Sequence, residues 1–152
     1  MTTGRKWRVA VAGLGWVAER VHLPYLAAST DMDLLGAFDL DHERQEEITR
    51  RWGVRAYPSL EALLGSGAEV LFVCTPPRTH AALTHSALRR GIHVVCEKPL
   101  APSGAEARAI AEHAGAVGRH VFCCMTNRFR SDVRRLRAEV QAGTIGKPRL
   151  VA

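Results

Sequence analysis

The stretch Val9-Ala10-Val11-Ala12-Gly13-Leu14-Gly15-Trp16-Val17-Ala18 constrains this chain more than any other. A short apolar run with valine at alternate positions reads as a buried strand. It leads straight into G-x-G-x-x-A, and a helical pattern follows. With 13 glycines in the chain the glycine spacing alone carries little, but strand, tight turn and helix in that order make it a dinucleotide-binding fingerprint. Gly13 is expected to permit the turn, Gly15 to let a pyrophosphate approach the backbone, and Ala18 to let the helix pack close to the strand. The helix N-terminus adds free N–H groups and a positive dipole end, worth about 0.3–1 kcal/mol to a nearby anion.

The remainder of the chain alternates strand and helix patterns. Strands are predicted at Arg8–Ala12, Met32–Phe38, Val54–Ala56, Val70–Cys74, Ile92–Cys96 and His120–Met125. The first helix runs from Gly15 towards Ala28, and Pro24, lacking an N–H, is expected to kink or restart it. Asp41 is placed to cap a helix ending at Gly53, and Ser59 to cap a short one at Leu60–Leu64. Helices are also predicted over Thr79–Arg90, Gly104–Val117 (opened by the capping box Ser103 and Glu106) and Ser131–Ala142. Such alternation implies an α/β fold, a doubly wound parallel sheet covered on both faces. Right-handed crossovers give strand order 3-2-1-4-5-6. One domain is expected over 1–148, with 149–152 reading as the opening of a further strand.

Composition narrows the function classes. Apolar content of 47% and charged content of 24% are those of a soluble globular chain. No apolar run approaches the roughly 18 residues of a membrane span. Net charge is +6, but Arg50-Arg51, Arg89-Arg90 and Arg134-Arg135-Leu136-Arg137 fall on three separate helices with acidic residues interleaved. They read as solvated faces rather than a nucleic-acid surface. Cys74, Cys96, Cys123 and Cys124 form no C-x-x-C and fit free thiols in a cytoplasmic protein. No H-x-x-H or H-E-x-x-H spacing suggests a metal.

Candidate site residues follow from position. Asp39 closes the second strand 21 positions beyond Ala18, where a carboxylate can accept hydrogen bonds from an adenosine ribose. The same charge repels a 2′-phosphate, and Leu40 brings no compensating cation. NAD is therefore expected ahead of NADP, although Arg44 lies one helical turn on. Thr75-Pro76-Pro77 forms a stiff connection at a carboxyl strand end, followed by His80 at the start of a helix. Glu97-Lys98-Pro99 leaves the fifth strand at the same end, where a lysine can hold a substrate oxygen or move a proton. His22, His42, His113 and His120 read as helix-surface or strand-end residues. Trp16 lies within the glycine turn, where it could pack over a cofactor or cover the domain edge.

The run from Cys74-Thr75-Pro76-Pro77-Arg78-Thr79-His80 to Gly91-Ile92-His93-Val94-Val95-Cys96-Glu97-Lys98-Pro99 resembles the Gfo/Idh/MocA family of oxidoreductases. Gly13-Leu14-Gly15, Asp39, Asn127-Arg128-Phe129 and Gly143-Thr144-Ile145-Gly146-Lys147-Pro148 stand in that family's order. The resemblance implies a Rossmann domain and NAD(P)-dependent hydride transfer to or from sugars, cyclitols and related polyols. It implies that Gly13, Leu14, Gly15, Trp16 and Val17 line the pyrophosphate and that Asp39 holds the ribose, with Arg44 near the adenine. Thr75, Pro76 and His80 would line the cofactor groove. Glu97 and Lys98 would approach the nicotinamide ribose and substrate, with Asn127 nearby and Lys98 as the catalytic residue.

The family also carries a second α+β domain with a D-x-G-x-H-like motif, and this sequence contains no counterpart of it. The expectation is an incomplete dehydrogenase whose substrate half is cut away or supplied by a partner chain, with a homo-oligomer left open. A non-catalytic module that binds dinucleotide as a sensor or scaffold is the alternative. An exposed apolar strip near Leu136, Ile145, Leu150 and Val151 would favour a missing partner.

Overall fold

A computed structural model describes residues 4–149 and joins five parallel strands in one sheet. The strands are β1 (Trp7–Ala12), β2 (Met32–Phe38), β3 (Val70–Val73), β4 (His93–Cys96) and β5 (Val121–Cys123), in the order β2-β1-β3-β4-β5. The helices are α1 (Leu23–Ala28), α2 (His42–Trp52), α3 (Leu60–Leu64), α4 (Pro77–Arg89), α5 (Gly104–Ala116) and α6 (Ser131–Gln141). Period-two alternation along β1 builds both cores. Val9 and Val11 pack with Leu23 and Leu26 of α1 and Ile48 of α2, while Ala10 and Ala12 face Leu63 of α3 and Ala87 of α4. The sheet is therefore wound on both faces, as expected.

The strand expected at Val54–Ala56 shrinks to one parallel bridge, Ala37 with Ala56, at the outer edge of β2. It occupies the edge position that the predicted order assigns to it. Ala37 N–H donates to the Arg55 carbonyl at 2.8 Å, and Tyr57 N–H donates to the Ala37 carbonyl at 2.9 Å. Pro58 has no N–H with which to extend the ladder. Gly36 admits this close crossing: a Cβ there would stand 2.4 Å from the Tyr57 ring and 2.5 Å from the Arg55 carbonyl oxygen.

Pro24 acts through the turn before it. The helix that follows the glycines is π-helical over Ala18–His22, and Leu23 N–H donates to the Ala18 carbonyl five residues back. The wider turn relieves the clash between a proline ring and the carbonyl four residues earlier, so the chain stays helical through α1. The expected caps form: Asp41 accepts from Arg44 N–H, Ser59 from Ala62 N–H and Ser103 from Glu106 N–H. Gly53, at φ 62°, closes α2.

The far edge is different. The strand expected at His120–Met125 is paired only over Val121–Cys123, and beyond Ala114 no described residue is buried. Phe122, Met125, Phe129, Leu136 and Ile145 are each more than half exposed. Leu150, Val151 and Ala152, expected to open a strand and extend the apolar strip, lie outside the described residues. Among the described residues no helix is long and apolar enough to cross a membrane.

Candidate functional site

The carboxyl ends of β1, β2 and β3 surround a cleft of about 900 Å³, lined by Gly13, Gly15, Asp39, Arg44, Thr75 and Pro76 among others. The two fingerprint glycines differ in kind. Gly13 has φ 89°, and a Cβ there would meet Thr75 N at 2.7 Å and the Cys74 carbonyl carbon at 2.8 Å. It thus serves the tight turn and also lets β1 and β3 come together above their ends. Gly15 has no such internal duty, since a Cβ there meets nothing within 4 Å and would project into open space. The Gly13 N–H is taken by the Phe38 carbonyl and the Leu14 N–H by Asp39, and the turn at Gly15 borders a ligand-sized space with no side chain in the way, a fit to a pyrophosphate.

Asp39 is held from two sides. Leu14 N–H donates to its Oδ2 at 2.6 Å, Asp41 N–H donates to its Oδ1 at 2.9 Å, and its own N–H donates to the buried Gln45 side chain at 2.8 Å. Both carboxylate oxygens thus accept from backbone N–H groups, and the side chain is fixed at the edge of the cleft. Leu40 beside it is 83% exposed, and the Arg44 guanidinium approaches Asp41 at 3.6 Å.

Other expected residues sit differently. The Leu14 side chain is buried in the core, so only its backbone serves the turn. Val17 packs against the same core, and Trp16 is 72% exposed and outside the cleft lining. His80 is buried, with Nδ1 2.7 Å from the Pro99 carbonyl and Nε2 2.7 Å from the Thr75 carbonyl. It ties the two loops together behind the cleft wall rather than facing the cleft.

The Glu97-Lys98 pair lies one strand further, where Glu97 N–H donates to the Val73 carbonyl. The Glu97 side chain is buried and Lys98 is exposed; the Lys98–Pro99 peptide is cis. Glu97 Oε2 accepts Lys98 N–H at 3.1 Å, and its Oε1 lies 2.9 Å from His22 Nε2. His22 is therefore no surface histidine. The widened turn presents it to the strand ends, with its ring edge-on to Phe72. The signal in the sequence was Pro24 two residues on, read as a kink but not as a device that turns a side chain inward. Asn127 is exposed on the 3-10 turn Thr126–Phe129.

Comparison with known proteins matches residues 7–124 to the model of an oxidoreductase family with an NAD-binding Rossmann fold, the Gfo/Idh/MocA group. D-glucoside 3-dehydrogenase of Escherichia coli is 32% identical over 147 residues, which cover 95% of this chain and 42% of that protein. Myo-inositol 2-dehydrogenase of Thermotoga maritima is 29% identical over 146 residues, covering 95% and 43%. Among solved structures, a 3-ketoreductase from Actinomadura kijaniata in complex with TDP-benzene and NADP superposes with a TM-score of 0.85 at 26% identity, covering 93% of this chain and 45% of that one. The chain spans less than half the length of these relatives.

Proposed function

This chain belongs to the Gfo/Idh/MocA oxidoreductase family, and on that footing we propose that it is the dinucleotide-binding half of a dehydrogenase or reductase of sugars, cyclitols or related polyols. The observation that carries the reading is the Asp39 carboxylate, fixed by two backbone N–H groups beside the open Gly15 turn. A carboxylate so held can accept from both ribose hydroxyls but cannot swing away from a 2′-phosphate. With Arg44 directed to Asp41, NAD is preferred over NADP.

Bound nicotinamide would supply hydride donor and acceptor chemistry at its C4. The backbone from Gly13 to Val17 would hold the pyrophosphate, and Thr75 and Pro76 would border the groove while His80 braces it from behind. Lys98 would contact the reacting oxygen. Its backbone is set by Glu97, and Asn127 stands near the same sheet end. Orienting a substrate against this lysine takes groups beyond those described here, as positioning supplies about 7–11 kcal/mol of such barriers. A partner chain or the remaining length of the relatives would contribute them. The exposed surface from Phe122 to Ile145 fits that docking, and it equally fits a second reading, a non-catalytic dinucleotide sensor that holds a partner.

Absorbance at 340 nm tests these readings on a panel of glucosides and cyclitols with NAD. With a partner chain or the remaining length supplied, sugar- or cyclitol-dependent reduction of NAD, lost in Lys98→Ala while NADH still binds, is the expected result. NADH binding without turnover on any substrate, with companion chains added, would instead favour the sensor.

A further inference from the structure

The strand ends carry a second cluster, on the face that holds α1. Val73, Cys96 and Cys123 are register partners across β3, β4 and β5. One residue further on, Cys74, Glu97 and Cys124 form the next row, and strand alternation turns them to the opposite face from Cys96. Cys74 accordingly packs in the core beneath α1. His22 enters this face from the π-helical turn. One ligand atom each of His22, Glu97 and Cys124 lies within 4.8 Å of the others, all three half-buried or buried. Imidazole nitrogen, carboxylate oxygen and thiol sulfur are the donors of tetrahedral zinc. Bonds of about 2.0–2.3 Å place such ligands roughly 3.3–3.8 Å apart. The His22–Glu97 contact, at 2.9 Å, is shorter than that spacing, so an ion would enter between the two side chains.

We propose that His22, Glu97 and Cys124 form a binding site for a zinc-class divalent ion, with the fourth position taken by water. Binding releases the Cys124 thiol proton to solvent, since the thiolate is the ligand. The ion would pin the fingerprint helix to the ends of β4 and β5, where β5 is three residues long and the chain beyond it is exposed. Spacing rules miss the site because its ligands come from three segments, at 22, 97 and 124. The other histidine pairs are weaker rivals. His85 and His113 meet Nδ1 to Nδ1 at 2.7 Å, and His93 stacks on His120, but neither pair gathers a third donor among the described residues.

Cobalt titration of the reduced chain is the test. One equivalent of Co²⁺ should produce a thiolate-to-cobalt band in the near ultraviolet with strong tetrahedral visible bands, displaced by Zn²⁺. Cys124→Ser should remove the thiolate band and leave the metal-free melting temperature unchanged, because the serine hydroxyl keeps a donor beside Glu97 and the His22–Glu97 pair stays in place. His22→Gln should weaken binding at least about tenfold. No thiolate band in the wild-type chain, or a spectrum and affinity unchanged in Cys124→Ser, would overturn the proposal. The serine variant decides the matter even if the glutamine variant does not fold.

Discussion

Gly13 and Gly15 stand two residues apart and answer to different demands. Gly13→Ala places a methyl against backbone atoms of Cys74 and Thr75 at a φ that side chains rarely adopt. Strain and overpacking together predict a loss of about 3 kcal/mol or more in urea unfolding. Gly15→Ala meets nothing and should leave stability unchanged or raise it by about 0.4–1 kcal/mol. The sequence made both glycines legible as parts of one motif. It could not show that Gly13 also answers to β3, about 60 residues away, because that contact exists only once β1 and β3 pair. Asp39 was legible from its place at a strand end, whereas its anchoring by Leu14 N–H depends on the turn folding back over it. His22 was misplaced for the same kind of reason, since its partner Glu97 is 75 residues distant.

At the scale of elements, caps and turns were read correctly where the signal is local. Ser103 accepts from Glu106 N–H and donates to the Glu106 carboxylate at 2.8 Å. Ser103→Ala should therefore cost about 1 kcal/mol in denaturant unfolding. The Val54–Ala56 strand failed to extend because Pro58 ends the ladder, and three residues with a single β-branched side chain, Val54, carry no information about how many rungs survive. The helix pair α4 and α5 adds a pH response. His85 faces His113 across it, and its pKa lies below the usual histidine value through burial first, then the charges of His113 and Arg89. His93 is lowered likewise, by burial and then by Arg119 and His120. A group depressed in the folded chain takes up its proton more readily when unfolded. The stability it contributes is therefore full above the unfolded histidine pKa, about 6.5, and falls as pH drops below it. Melting temperatures should decline from pH 7.5 to pH 5.5, and His85→Gln with His93→Gln should flatten that decline. An equal slope in the double variant would contradict this assignment.

Across the whole molecule, two cores wound on a parallel sheet give the cleft rigid walls at the carboxyl ends of the strands, while the β5–α6 side stays open. Strand–helix alternation fixed the sheet order before any side chain was placed, since right-handed crossovers allow few alternatives. Burial on the α6 side was not legible: Val133, Leu136 and Val140 recur at helical spacing, yet α6 buries none of its residues. An apolar face recorded in a sequence does not say whether its cover belongs to the same described segment. The central claim is that the cleft between Gly15 and Asp39 receives a dinucleotide, and calorimetric titration of the wild-type chain and Gly15→Val with NADH tests it most directly. The account predicts saturable binding to the wild-type chain, and its loss in the variant at unchanged melting temperature, because the valine fills the space left open for the pyrophosphate. Equal affinity in the two proteins would place the dinucleotide elsewhere and contradict the account.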